Sequence, residues 1–469
     1  MKWSMAKIMP RSSAPFDVAV IGAGASGTLV AAQFKRITPH GRLVIVGNAS
    51  RPARGVAYET AFDANLLNVP AANMSAFPQD KEHFTRWLKH RLPKANDATF
   101  VKRKIYGDYL AEIFHQTISD LENTKYIFGT AVSLVRENNL WEIQLNNGDC
   151  LEAHRVVLAF GNLLAPNDPI DFSSAASSYW QNPWAQDAVQ GLSSDAPVLL
   201  IGTGLTMVDV ALSLRESGHR GTIHAISRHG RLYQTHKPYQ ALPLLVHLPQ
   251  EFESPSGAMH WIREQVQAAK QTGSDWRAVI DSLRPYTAAI WQGWNQFRRQ
   301  SFLRHARNLW DIHRHRMAPE ISDQLDILVE NQILIIHCGR LVSAIPEGDN
   351  VAVTWKGTEN GELHVLQAAR IINCTGPSRD YSRIQSPLIS KLQNTGLLVP
   401  DALHLGFETD AEGRFIAANG KSVEGLFTLG PVRIPFLWES IAIPEIRDQA
   451  LALAKVVASE TVGVTTGQI

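Results

Sequence analysis

Cysteine is scarce in this sequence, and net charge is almost absent. Cys150, Cys338 and Cys374 are the only three thiols and stand far apart with no CxxC pair. A disulfide scaffold, a thiolate zinc site and a redox-active dithiol therefore all lack their ligands. The 45 lysines and arginines offset 44 aspartates and glutamates, leaving a formal net charge of +1, which gives no general attraction to nucleic acid or to an anionic membrane. No apolar run reaches the length of a membrane span, and the opening MKWSMAKIMPRSSAP carries basic residues without an apolar core or a small-residue cleavage site. The expectation is a cytoplasmic protein with residues 1–14 as a loose arm, no nucleic-acid or membrane partner and no metal. At 45% hydrophobic over 469 residues, two or three packed domains can form.

What is present is a repeated strand, glycine turn and helix. Phe16 to Ile21 is a short apolar run of buried-strand type, followed at once by Gly22-Ala23-Gly24-Ala25-Ser26-Gly27 and a helix-like segment. Gly22 permits the tight turn, Gly24 lets backbone approach a pyrophosphate, and Gly27 allows close helix packing. The helix start, with Ser26, offers free N–H groups and a positive dipole end. The next strand, Arg42 to Val46, should end in an acid for the ribose hydroxyls; Gly47-Asn48 stands there, and Asn48 makes a weaker substitute.

Val198 to Ile201 then runs into Gly202-Thr203-Gly204-Leu205-Thr206-Met207 and a second apolar helix. Met207 replaces the third glycine, which loosens helix packing but keeps the phosphate-facing pair Gly202 and Gly204 and the helix-start hydroxyl of Thr206. The following strand ends in Ser227-Arg228 where an NAD site carries an acid, and a guanidinium suits a 2′-phosphate, which favours NADPH over NADH. Two such modules in one chain make sense if one holds FAD and the other delivers hydride to it. The fold expected is α/β, with two Rossmann-like dinucleotide-binding domains, for FAD and NAD(P)H, and a helical insertion.

Arg155 to Gly161 and Arg370 to Gly376 are apolar strands ending in glycine that bracket the second module, as where a chain leaves and re-enters an FAD domain. Gly425 to Gly430 gives a last strand before a helix over Trp438 to Val457, its start aimed at the flavin. Pro431 stands where an Asp usually contacts the ribityl chain. The expected boundaries are 15–170 and 341–457 for the FAD domain, 171–340 for the NAD(P)H domain, and a tail at 458–469. The insertion, about 240–330, carries Trp261, Trp276, Trp291, Trp294 and Trp310, which pack a subdomain or line a substrate pocket. Between Arg298 and Arg316 it holds six arginines and one acid, Asp311, which reads as a solvated basic face or an anion site. His313 and His315, two apart, make no natural metal pair.

Arg54-Gly55-Val56-Ala57-Tyr58, Leu66-Leu67-Asn68-Val69-Pro70, the second glycine turn with Asp209, Asn373-Cys374-Thr375-Gly376-Pro377, Trp438-Glu439-Ser440 and Pro444-Glu445-Ile446-Arg447 form a signature spanning nearly the whole chain. It resembles the FAD/NAD(P)-binding proteins that include bacterial FAD-dependent urate hydroxylase and the flavin enzymes that N-oxidise aspartate. The resemblance implies that Asn68 and the segment around Tyr106 lie against the flavin. It also implies an O₂-using monooxygenase acting through a C4a-hydroperoxyflavin on a small molecule. Urate, hydroxylated to 5-hydroxyisourate, is the first substrate expectation, its anion fixed by Arg314, Arg316 or Arg433. An amino-acid N-hydroxylase is the alternative within the same resemblance. An NAD(P)H:acceptor flavin reductase and a non-catalytic nucleotide-binding protein remain as alternatives. A disulfide reductase lacks its cysteine pair, and the Phe160 to Trp184 linker lacks the histidine of the better-known Baeyer–Villiger type. No residue stands out as a catalytic base.

Overall fold

The computed structural model describes residues 14–162 and 168–465, with side chains as far as Glu460. Residues 1–13, where the sequence predicts a loose arm, lie outside them. The strands are β1 (Phe16–Ile21), β2 (Leu43–Gly47), β3 (Thr124–Phe128), β4 (Ala131–Glu137), β5 (Leu140–Leu145), β6 (Cys150–Leu158), β7 (Tyr179–Trp180), β8 (Val198–Ile201), β9 (Ile223–Ser227), β10 (Leu334–Glu347), β11 (Asn350–Gly357), β12 (Leu363–Ala368), β13 (Arg370–Asn373), β14 (Arg414–Ile416) and β15 (Ser422–Thr428).

The first sheet runs β14-β15-β6-β1-β2-β3, with the β4–β5 hairpin attached to β6. Its centre is parallel, with Val20 opposite both Ile45 and Val157. Helices cover one face and the hairpin and later segments the other, so β2 is buried along its whole length and reads as a continuous apolar run. The second sheet runs β12-β11-β10-β9-β8-β13-β7, parallel from β10 to β7 and antiparallel where β10, β11 and β12 fold back. The chain is thus α/β with two parallel sheets of dinucleotide-binding type.

Two predicted boundaries shift. β13 pairs with β8 and β7 in the second sheet, so the chain has not yet returned to the first domain there. The return comes after Gly376, where Tyr381, Ile384, Leu388 and Leu392 pack beneath the first sheet. Residues 341–368 accordingly belong to the second module. The sequence could not separate the two cases, because an all-buried parallel strand looks alike in either sheet. The insertion is also shorter than predicted. Met317 N–H bonds Gln234 O at 2.8 Å and His236 N–H bonds Met317 O at 2.9 Å, closing a neck at 234–236 and 317. The helix Pro319–Glu330 then buries Ile321, Leu325 and Leu328 in the second module's own core. At the C-terminus the helix Ile443–Thr465 continues through most of the expected tail. Among the described residues no helix is long and apolar enough to cross a membrane.

Candidate active site

At the first turn, Gly22 has φ +115°, and a Cβ there would come 2.3 Å from the Ala159 carbonyl oxygen. Gly27 is tighter still, 1.9 Å from the Gly22 carbonyl oxygen, so its lack of a side chain lets the helix Ala25–Ile37 sit against the turn. Gly24 differs. It caps that helix without any side-chain bond to the free N–H groups, and a Cβ would meet only the Gly55 Cα, at 3.7 Å. Two glycines thus face each other across an open helix N-terminus with no acid in its first turn, a cradle suited to a pyrophosphate. Ser26 lies beside it, 3.2 Å from where a Gly430 Cβ would stand, so the last strand's end meets the first turn. Gly430 N–H donates to Gln449 Oε1 at 3.0 Å. Asn48 is exposed just past β2, with its amide donating to Thr130 Oγ1 at 3.2 Å.

The second turn repeats the geometry. Gly202 has φ +108°, Gly204 caps the helix Leu205–Glu216 with no side-chain bond, and Thr206 lies in its first turn. Tyr233 is the neighbour of Gly204, 3.7 Å from a Cβ placed there, and burial pushes its phenol up to about 12. Met207, where the third glycine of the turn would stand, is fully buried in the second module's core. Ser227 is tied to Thr203 Oγ1 at 2.9 Å and accepts the Gly230 N–H, and Arg228 is exposed at the end of β9. Gly161 and Gly376 both take positive φ, 63° and 87°, with open space where a side chain would be.

The two turns are joined through one helix. Asp209, on the helix that starts at Gly204, pairs with Arg103 at 2.7 Å, and its backbone carbonyl accepts the Asn65 amide. Burial raises the Asp209 carboxyl to about 6 despite that arginine. Glu216, at the same helix's end, accepts the N–H groups of Asp63 and Ala64 at 2.9 and 2.8 Å. On the far side His236 Nε2–H donates to the Asn68 carbonyl at 3.0 Å. Burial, with Arg316 nearby, lowers the His236 ring to about 4, so it is neutral at physiological pH. Asn68 is therefore at the module junction. Tyr106 is fully buried among Tyr58, Phe84 and Tyr109, its hydroxyl without a partner among the described residues.

The three arginines expected to hold an anionic substrate are placed otherwise. Arg314 is buried between Glu439 and Glu445, at 3.5 and 3.1 Å, and Arg284 shares Glu445 at 2.8 Å. Arg316 grips both oxygens of Asp281 at 2.5 Å. Arg433 donates to the carbonyls of Asp410 and Ala411, and burial lowers its guanidinium to about 10. Each has internal acceptors, which corrects the reading of these residues as the anion site. Arg314, with Arg284, anchors the insertion to the segment entering the C-terminal helix, whereas Arg307 and Arg316 pair with Asp311 and Asp281 inside the insertion. Burial works against the Glu439 charge, but Arg314 and His315 hold its carboxyl below the ordinary range.

That segment also carries the insertion's aromatic wall. Trp438 sits at φ 61°, a strained backbone for a bulky residue, and packs on Trp291 at 4.8 Å and Phe302 at 5.0 Å. Trp291 Nε1–H donates to the Pro435 carbonyl at 2.8 Å. Trp291, Trp294, Trp310 and Trp438 line an apolar cavity of about 50 Å³ with Phe252 and Leu283. Arg103 and His236 carry no signal in the sequence, whereas Asp209 and Trp438 stand there within the signature segments, without a sign of their roles.

Comparison with known proteins bears on this geometry. Residues 19–163 match the profile of the family described as FAD-NAD(P)-binding. No curated protein sequence matches the chain. Among solved structures, L-lysine 6-monooxygenase from Pseudomonas syringae aligns at TM-score 0.69 with 15% identity, over 95% of this chain and 100% of its own. The ornithine N-hydroxylase of Kutzneria sp. 744 aligns at 0.64 with 13% identity, over 95% and 100%. Lactococcus lactis thioredoxin reductase aligns at 0.54 with 11% identity, over 96% and 99%. At such identities the likeness is one of fold, and that fold supports both oxygenases and disulfide reductases.

Proposed function

We propose that this chain is an FAD-dependent, NADPH-consuming monooxygenase that hydroxylates the nitrogen of a small amine. The observation that carries the reading is the pair of uncapped glycine-lined helix starts locked together through Asp209 and Arg103, in a full-length likeness to N-hydroxylating monooxygenases. The thioredoxin reductase chemistry of the same fold needs a cysteine pair, whereas Cys150 is exposed, Cys374 buried and Cys338 on another strand. Urate has no support at the site, since Arg314 and Arg316 are ion-paired within the protein and Arg433 is bonded to backbone carbonyls.

Gly22, Gly24, Ser26 and Gly430 would hold FAD, with Asn48 at its ribose and Asn68 near its ring. Gly202, Gly204 and Thr206 would hold the second dinucleotide, with Ser227 and Arg228 facing the 2′-phosphate of NADPH. Bound FAD supplies electron transfer from NADPH to O₂. The protein's part is to orient and shield: His236 stays neutral beside Asn68 at the junction, and the tryptophan wall contributes an apolar surface.

The test is a visible spectrum of the purified protein, then NADPH oxidation in air with L-ornithine, L-lysine, cadaverine or urate, with hydroxylamine and peroxide measured. The expected result is an amine that raises NADPH oxidation and is recovered as hydroxylamine without matching peroxide. A protein that binds no FAD, or that turns all NADPH into peroxide whatever amine is present, overturns the proposal.

A further inference from the structure

Beside the second glycine turn lies the end of β13, where the Cys374 carbonyl oxygen would be 2.8 Å from a Gly202 Cβ. Five residues beyond Cys374 stands Arg379, half-buried, with its guanidinium 5.9 Å from the centre of the Trp438 ring. Unlike Arg284, Arg314 and Arg316, it has no carboxylate within ion-pair distance among the described residues. The acids that act on it from further away, Asp311 and Glu439, are engaged. Arg307 takes Asp311 at 3.3 Å, and Arg314 and the Trp310 indole take Glu439. Burial first, and the like charge of Arg307 next, hold the Arg379 guanidinium down to about 10. An arginine half withdrawn from water, next to another arginine and without its own acid, is stabilised by an incoming anion.

We infer that Arg379 is a specificity residue that binds the carboxylate of an amino-acid substrate, with the substrate's carbon chain directed along Trp438. This rests on the amine-hydroxylating reading and names its substrate class. The other source of an anion is a phosphate of the dinucleotide. The carboxylate is favoured because the ring contact of Arg379 is with Trp438, on the flavin-end segment, whereas the cradle for a pyrophosphate is the uncapped helix start at Gly204.

The test uses the FAD-loaded protein with Arg379→Gln and Arg379→Lys. Intrinsic tryptophan fluorescence is titrated with succinate, a dicarboxylate that cannot be N-hydroxylated. Coupled turnover is compared for L-lysine against cadaverine and L-ornithine against putrescine, pairs that differ only in the carboxylate. The expected result is a saturable succinate response lost in R379Q and partly kept in R379K. The carboxylated amines should be preferred, with KM raised about 30-fold or more in R379Q, as for truncation of one partner of a buried charge pair. A wild-type protein that ignores succinate and does not prefer the carboxylated amines overturns the inference. So does R379Q that weakens NADPH binding in anaerobic flavin reduction while leaving the amine KM alone, which assigns Arg379 to the dinucleotide. If no amine is hydroxylated but R379Q abolishes succinate binding, the amine reading falls and the anion site stands.

Discussion

The glycines of the two turns separate what the fold needs from what a cofactor needs. At Gly24 the backbone, φ −87° and ψ −166°, is open to any residue, and a Cβ would make only an ordinary contact at 3.7 Å. Gly24→Ala should therefore leave the cofactor-free protein within about 1 kcal/mol of wild type, the scale of an N-cap change. A pyrophosphate drawn onto the same helix start has no room for that methyl group. Overpacking of this kind costs about 1–3 kcal/mol, or roughly a 5- to 150-fold weaker Kd for FAD. Gly204→Ala, whose neighbour is Tyr233 at 3.7 Å, should weaken NADPH to a similar degree with FAD retained. Gly27→Ala is the contrast: its Cβ would stand 1.9 Å from a carbonyl oxygen, so the protein itself should be destabilised before any cofactor is added. The assay is thermal unfolding of the cofactor-free protein beside FAD and NADPH titrations. G24A binding FAD as tightly as wild type would refute the assignment of the first turn.

Three further outcomes are expected. Trp291→Phe keeps an aromatic ring but leaves the buried Pro435 carbonyl without its donor, a loss of about 1–3 kcal/mol. It should show as faster proteolysis within 252–317, whereas cleavage at the wild-type rate counts against the docking described. Glu445→Gln leaves Arg284 and Arg314 with one acid fewer and should destabilise by about 3 kcal/mol, the low end for a broken buried pair because Arg284 is partly exposed; an unchanged urea midpoint contradicts it. Burial holds the Asp209 carboxyl up at about 6 in the folded protein, well above the ordinary aspartate range, so its contribution to stability is full below the unfolded pKa and lost as pH rises through the folded one. Linkage puts that loss at about 3 kcal/mol between roughly pH 4 and 6. Urea unfolding across this window should fall more steeply for wild type than for Asp209→Asn, and parallel slopes refute it.

The parts of the site legible in the sequence are those where a backbone constraint is written as a residue type. Gly22 and Gly202 announce turns that only glycine takes easily, and the apolar runs before them announce buried strands. What stayed hidden is pairing across long separations. Nothing around Arg314 in the sequence points to Glu445, 131 residues away, so an arginine that anchors the insertion reads as part of an anion site. For the same reason β13 was indistinguishable from a strand of the first sheet. Trp438 reads as the start of a helix, whereas its φ of 61° places it in a turn before one, a conformation set by the wall it packs against.

The helix from Leu205 to Glu216 opens one glycine cradle with its first turn and grips the other module with Asp209, Ser213 and Glu216. A swivel of the second module about the first would have to break a buried ion pair and at least four hydrogen bonds at once. The spacing of the two glycine turns is therefore set before any nucleotide arrives, because the helix that opens one cradle is also the strut that fixes its distance from the other.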